Sequence, residues 1–251
     1  MSDFDRNYAA STRGYADRAV IDAGLRAHMI RVYNYMAIGV ALTGLVAWFT
    51  FQAAATTTGA GALELTPLGQ TLFNSPLIWV LMLAPLALVF VISLGINRLS
   101  APTARALFFL YAGLLGLSLS TIFLAFTETS ITRVFFISAA AFGGLSLWGY
   151  TTQRDLSGFG SFLIMGLIGI IIASLVNIFL KSSGLDWIIS VVGVIVFAGL
   201  TAWDTQKIKE MYSPMDDGTV AGRKVVMGAL SLYLDFINLF LMLLRLVGDR
   251  R

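Results

Sequence analysis

Seven apolar runs, each about 20 residues long, constrain this chain more than any other feature of its sequence. They lie at approximately Val32–Phe51, Leu77–Ile96, Ala104–Phe126, Ile131–Tyr150, Phe159–Leu180, Trp187–Trp203 and Val225–Val247. A hydrocarbon core about 30 Å thick is crossed by about 20 residues of helix at about 1.5 Å each. The runs are continuous, whereas barrel strands alternate over about ten residues. Only 12% of the residues are charged and 57% are hydrophobic, too little polar surface to coat a water-soluble globule. The expected fold is an all-α integral membrane protein, a bundle of seven transmembrane helices.

The polar remainder divides the chain into an N-terminal arm (1–31), a membrane domain (32–247) and a short basic tail (248–251). The arm carries both signs of charge and is too long and acidic for the n-region of a secretory signal. It reads as a tail or as an amphipathic helix on the membrane surface. The net charge of +3 does not indicate nucleic acid, because the basic residues sit in short breaks between apolar runs. That distribution suits membrane orientation. With a cytoplasmic N-terminus, twelve Lys and Arg fall inside (five in the arm, then Arg98, Arg105, Arg154, Lys207, Lys209, Arg223 and Lys224). Five fall outside: Arg133, Lys181, Arg245, Arg250 and Arg251. The bias favours N-in. Seven crossings then put the C-terminus outside, although its last residues are basic; a re-entrant final segment would return it to the cytoplasm.

Apart from 52–76 and 206–223 the connections are short, so most neighbouring helices are expected to lie antiparallel and adjacent. The glycines Gly113/Gly116, Gly143/Gly144 and Gly166/Gly169 read as packing positions where helix backbones approach closely.

Ionisable groups deep in a bilayer are costly and face a cavity or a partner. Asp235 lies about ten residues, or ~15 Å, from either end of the last run, with Asn238 on the same helical face. A hydrogen bond to a neighbouring helix or a functional role each accounts for it, and its depth favours function. Asp204 stands at the cytoplasmic edge of the sixth run, beside Trp203 and one turn before Lys207. If that helix stops at Trp203, Asp204 is about two turns too shallow to meet Asp235. If it continues through Lys207, Lys209 and Met211, with the lysines snorkelling, the depths match. Two facing carboxylates do not readily both ionise. They would then share a proton and form a proton-controlled latch between runs six and seven. Paired oxygens also attract divalent cations, which makes calcium a candidate contact of Asp204 and Asp235. Arg98, closing the second run on the same side, is either an ordinary positive-inside arginine or a partner that holds the latch through Asp204. Arg154 and Asp155 read as a loop pair capping the fifth helix, and the lone His28 as an arm residue at headgroup level.

Catalytic readings find little support. Cysteine is absent and His28 is the single histidine, which excludes thiolate chemistry and any site needing two imidazoles. Intramembrane aspartyl proteases also pair aspartates on late spans, but the Gly-x-Gly before the second aspartate is missing here. Gly116-Leu-Ser118 and Gly144-Leu-Ser146 resemble nucleophile settings that need a base within the bilayer, and His28 lies outside it. No phosphate-binding loop, dinucleotide fingerprint or zinc-ligand spacing occurs. The chain is expected not to be an enzyme.

Phe-Ala-Gly-Leu-Thr-Ala-Trp-Asp204-Thr-Gln-Lys-Ile-Lys and Ala-Leu-Ser-Leu-Tyr-Leu-Asp235-Phe-Ile-Asn-Leu-Phe-Leu together resemble the Bax inhibitor-1 family, as a bacterial member. Tyr111-Ala-Gly-Leu-Leu-Gly-Leu-Ser-Leu-Ser and Thr152-Gln-Arg-Asp-Leu-Ser-Gly-Phe-Gly-Ser resemble its middle spans, and the likeness covers about Arg31 to Val247. It implies a seven-helix bundle with the last helix central. It also implies a pH-sensing pair at Asp204 and Asp235, and a basic residue on the second helix, here Arg98, that helps close a pore. Members resemble proton-regulated calcium leak channels, in eukaryotes linked to suppression of cell death; bacterial members are associated with membrane-protease regulation. Two departures stand out. The connection holding Ser213-Pro214-Met215-Asp216-Asp217-Gly218 is long for the family, and a third-span glutamate found in several relatives near Leu114 or Leu115 is leucine here. The expected function is a pH-sensitive calcium leak pathway of the cell inner membrane, with calcium and protons as its ions, the bilayer as its surroundings and no cofactor. The alternative is a non-conducting regulator that binds a membrane protease or another membrane complex through its arm and sixth loop.

Overall fold

A computed structural model describes residues 3–57 and 63–251, with side chains from Asp22 onward. In chain order the elements are α1 (Asp3–Ala54), a two-stranded antiparallel hairpin of β1 (Ala55–Thr57) and β2 (Leu63–Leu65), α2 (Pro67–Phe73), α3 (Leu77–Gly95), α4 (Ala101–Leu119), α5 (Ile122–Ala125), α6 (Glu128–Thr151), α7 (Ser157–Leu180), α8 (Ser183–Glu210) and α9 (Gly218–Val247). Seven spans are long and apolar enough to cross a membrane, with α4 and α5 counted as one (Ala101–Ala125). Within α1 the apolar span is Asp22–Ala54, so the last part of the arm is continuous with the first crossing. Whether the arm's outer part lies on a surface rests on side chains outside the described residues.

Hydropathy locates the middles of these helices; polar side chains set their ends. Ser100 and Thr127 start α4 and α6 by accepting the N–H of the residue three further on. Ser182 does the same for α8 through Leu185, five residues before the apolar run begins at Trp187. Asp217 caps α9 by accepting from Thr219 and Val220. Each cap supplies an acceptor to N–H groups that have no partner within the helix. The long sixth connection is thereby mostly helix: α8 runs on to Glu210 and α9 starts at Gly218. Asp216, in the short loop between them, pairs with Lys224 at 2.6 Å.

The two ends of the bundle follow from the ion pairs. Arg245 and Arg250 lie 3.9 and 3.7 Å from the carboxylate of Asp186 at the start of α8, and Arg251 lies 3.7 Å from Glu128 at the start of α6. The backbone of Asp249 and Arg250 joins Thr127 and Phe126. The last helix therefore crosses completely, with no re-entrant turn, and the C-terminus is at the end opposite Asp22. Its basic residues are offset by acids at two helix starts, which explains how a positive tail is tolerated there.

Adjacency in sequence is only part of the packing. The consecutive pairs α3–α4, α7–α8 and α8–α9 pack together, but α1 packs on α4 and α9, and α6 on α8 and α9. The most enclosed span is α9, whose main contacts are with α1, α4, α6 and α8, while α3 and α7 are peripheral. Among the glycines, Gly116 meets the expectation: a Cβ there would stand 2.7 Å from the Thr43 carbonyl oxygen. Gly113, Gly143, Gly144 and Gly169 face open space instead. Among the membrane-spanning helices a close glycine approach is at Gly149, where a Cβ would run into the Ala202 carbonyl and α6 lies directly on α8. Gly149→Ala is expected to cost about 1–3 kcal/mol by forcing these backbones apart, lowering the thermal midpoint in detergent. Gly143→Ala on the same helix should leave it unchanged or slightly raised.

Candidate functional site

The decisive local feature is the polar extension of α8. Beyond Trp203 the helix continues two further turns, which is the condition for Asp204 and Asp235 to share a depth. Three devices accommodate its polar residues. The Lys207 ammonium lies 4.9 Å from the Trp203 ring centroid, and Lys209 Nζ donates to the Tyr150 carbonyl at 3.0 Å. Gln206, buried, grips the α6–α7 loop at two points. Its Oε1 accepts from Leu156 N and its Nε2 donates to Arg154 O, both at 2.8 Å.

With α8 held this way, the Asp204 carboxyl meets the Asp235 carboxyl side chain to side chain. Asp235 is only 5% exposed, and its Oδ2 has no hydrogen-bond partner among the described residues. Two carboxyl groups in contact form a hydrogen bond only when at least one carries a proton. The pair lies at the wall of a cleft of about 560 Å³ between α7, α8 and α9, lined otherwise mostly by apolar side chains, Phe197 and Trp203 among them, and by Ser174, Lys207, Ser231 and Asn238. The cleft exists because α7 and α9 both pack on α8 but barely touch each other.

The model of the family described as inhibitor of apoptosis-promoting Bax1 matches residues 25–251. The chain belongs to the Bax inhibitor-1 family. An uncharacterised protein of Rickettsia prowazekii is 46% identical over 245 residues, covering 98% of this chain and 99% of that one. The inner membrane protein YbhL of Escherichia coli is 50% identical over 232 residues, covering 91% and 94%. An uncharacterised Caulobacter vibrioides protein is 45% identical over the full length of both chains.

In this Bax inhibitor-1 protein the acid pair, Asn238 and Lys207 share one cleft, whereas Arg98 stands apart. Arg98 is exposed after the end of α3 and makes no ion pair among the described residues. Of the two readings of Arg98, the one that pairs it with Asp204 finds no such contact, and the basic group at the cleft is Lys207, one turn along the same helix as Asp204. The Asn238 amide donates to the Leu234 carbonyl at 2.8 Å, so its oxygen remains free to accept. His28 is also placed differently from the expectation at headgroup level. It is buried, with its ring 5.7 Å from that of Tyr212 and its Nε2 unpartnered.

Hydroxyl groups that carry no signal in a hydropathy reading hold the elements around the pair. Thr205, next to Asp204, donates to Thr201 O at 2.7 Å, so Ser146 must donate to Thr205 at 2.9 Å and Tyr33 to Ser146. Each hydroxyl has a single proton, which fixes this direction and links α1, α6 and α8. Thr43 donates to a carbonyl of Ala112 or Gly39, so the Tyr233 hydroxyl donates to Thr43 at 2.6 Å and ties α9 to α1. Gly160, beneath the Trp203 indole, has no room for a Cβ.

Gln206→Ala removes both loop contacts and leaves a buried Leu156 N–H unpaired, an expected loss of about 1–3 kcal/mol. Thermal unfolding of the purified protein checks it. At the same loop, Asp155 makes no ion pair with Arg154 but accepts Ser157 N–H at 2.8 Å at the start of α7. Hydrogen bonds from Ser157 hold its carboxyl below the usual carboxylate range. Its contribution is therefore present at neutral pH and lost as pH falls through that lowered value. Asp155→Asn should lower the neutral-pH thermal midpoint slightly while leaving the strongly acidic one unchanged.

Proposed function

We propose that this chain is a proton-sensitive calcium leak pathway of the cell inner membrane, with its N-terminus cytoplasmic, and that Asp204 and Asp235 are its sensor. The observation that carries the reading is the direct contact of two carboxyl groups on α8 and α9 at the wall of a membrane-embedded cleft. The family and the relative named as an inner membrane protein support the setting. With one proton the pair makes a charge-assisted hydrogen bond that clamps α8 to α9. Loss of that proton leaves two like charges in contact, and gain of a second replaces the strong bond with a weaker neutral one. Either change loosens the two helices.

Calcium fits as the passing ion rather than as a resident. It takes six to eight oxygen ligands in ordinary sites, roughly. The cleft offers the two carboxyls, the Ser231 hydroxyl and the Asn238 amide oxygen, with the Lys207 charge close by. Among the described residues no group of three or more acidic or histidine side chains gathers at metal-binding distance. A weak site from which the ion readily leaves is what a leak requires. Nothing in this reading calls for enzymatic chemistry.

The test is calcium entry into liposomes loaded with a calcium dye. Wild-type protein is expected to conduct with a pH dependence, which Asp204→Asn and Asp235→Asn each flatten. Absence of flux from correctly folded wild-type protein at any pH would overturn the proposal.

A further inference from the structure

A second feature lies at the other end of the same cleft. Between α7 and α9 the acid-pair cleft adjoins a cavity of about 520 Å³, and Ser174 and Ile178 line both. That cavity opens at the C-terminal end of the bundle, where Arg245 and Arg250 flank Asp186. A third hollow shares those three residues and adds Lys181. Three cations thus face one carboxylate, and the two arginine contacts to it, at 3.9 and 3.7 Å, are too long for hydrogen bonds. The guanidinium donors are unspent on Asp186. Nor is Arg250 on a free tail, since its backbone bridges Phe126 and its side chain lies over the Phe126 ring.

We propose that this groove is a binding site for an anionic phospholipid of the leaflet at the C-terminal end. Its phosphate is held by Arg245 and Arg250, and one acyl chain lies along α7 and α9 toward Asp235. Three observations argue for a lipid. The net positive mouth is matched to a phosphate, which arginine binds through two parallel N–H donors. On the α7 side the groove wall is mostly aliphatic and open sideways to the hydrocarbon, with Ile171, Leu175 and Ile178 more than half exposed. Its length also fits: from Arg245 to Asp235 is ten residues of helix, ~15 Å, about the depth of one leaflet in a core of about 30 Å. Exposed Trp187 beside the mouth suits the headgroup level. A chain seated there ends at the acid pair and closes the sideways route from the bilayer into the cleft. The lipid site does not depend on whether that pair senses protons.

The test is native mass spectrometry of the whole protein in mild detergent, comparing retention of dioleoyl phosphatidylglycerol with dioleoyl phosphatidylcholine. Wild type is expected to retain the anionic lipid on the order of tenfold better, and Arg245→Gln/Arg250→Gln to remove that preference. Asp186→Asn breaks the same two ion pairs but keeps the cations, so it should preserve or increase the preference. A merely structural role for the cluster predicts that both variants lose it. Equal retention of the two lipids by wild type, persistence of the preference in the double variant, or its loss in Asp186→Asn would each overturn the proposal. Displacement of the lipid by an equal concentration of inorganic phosphate would also do so, because the acyl groove would then contribute nothing.

Discussion

A carboxyl group in the middle of a membrane helix has no water to turn to, and the bundle must supply its partner. For Asp235 that partner is Asp204, and the arrangement of this half of the bundle follows from bringing the two together. Asp204 reaches the required depth only because α8 carries charged and polar residues two turns past its apolar run. Those residues are accommodated one by one: Lys207 over an indole, Lys209 on a carbonyl, Gln206 on the α6–α7 loop. Trp203 is fitted in turn against a glycine of α7. The acid contact is thus the end of a chain of adjustments that starts in a loop.

The rest of the bundle is joined by contacts suited to a medium in which burying apolar surface yields little. At Gly149 two backbones touch, and buried hydroxyls on α1, α6, α8 and α9 satisfy one another in an order set by their single protons. Helix α7 takes little part in this. Because it rests on α8 without closing against α9, adjoining hollows remain between them, one at the acid pair and one at the arginines of the opposite end. One loosely seated helix therefore provides both the cleft at the carboxyls and the opening toward lipid.

How legible each feature was depended on whether its cause is local. Asp235 stands out because a charge in an apolar run is a local anomaly, and the α8–α9 pairing could be stated as a condition on helix length. Arg98 was drawn toward Asp204 by its side of the membrane alone, which says nothing about the angle at which a side chain faces around the bundle. Glycine pairs were no better guide, since Gly143 faces open space while Gly149 carries the contact. His28 sits in a polar arm yet is buried against Tyr212 of the loop before α9, a contact no spacing within α1 encodes. Gln206 left a faint signal, an amide just past the end of an apolar run beside a charged loop.

Seven crossings and a costly pair of acids late in the sequence are properties of the sequence itself. They depend on hydrocarbon thickness and on solvation, and neither requires knowing which helix lies beside which. The identity of neighbours is a different matter. That α1 lies on α4 and α9, that the basic group at the cleft is Lys207, and that adjoining hollows lie between the acid pair and a cluster of arginines were decided only in three dimensions. Such contacts depend on close approach between residues far apart in the chain, and lipid exposure makes many helix faces equally acceptable until a glycine, a hydroxyl or a carboxyl finds its match.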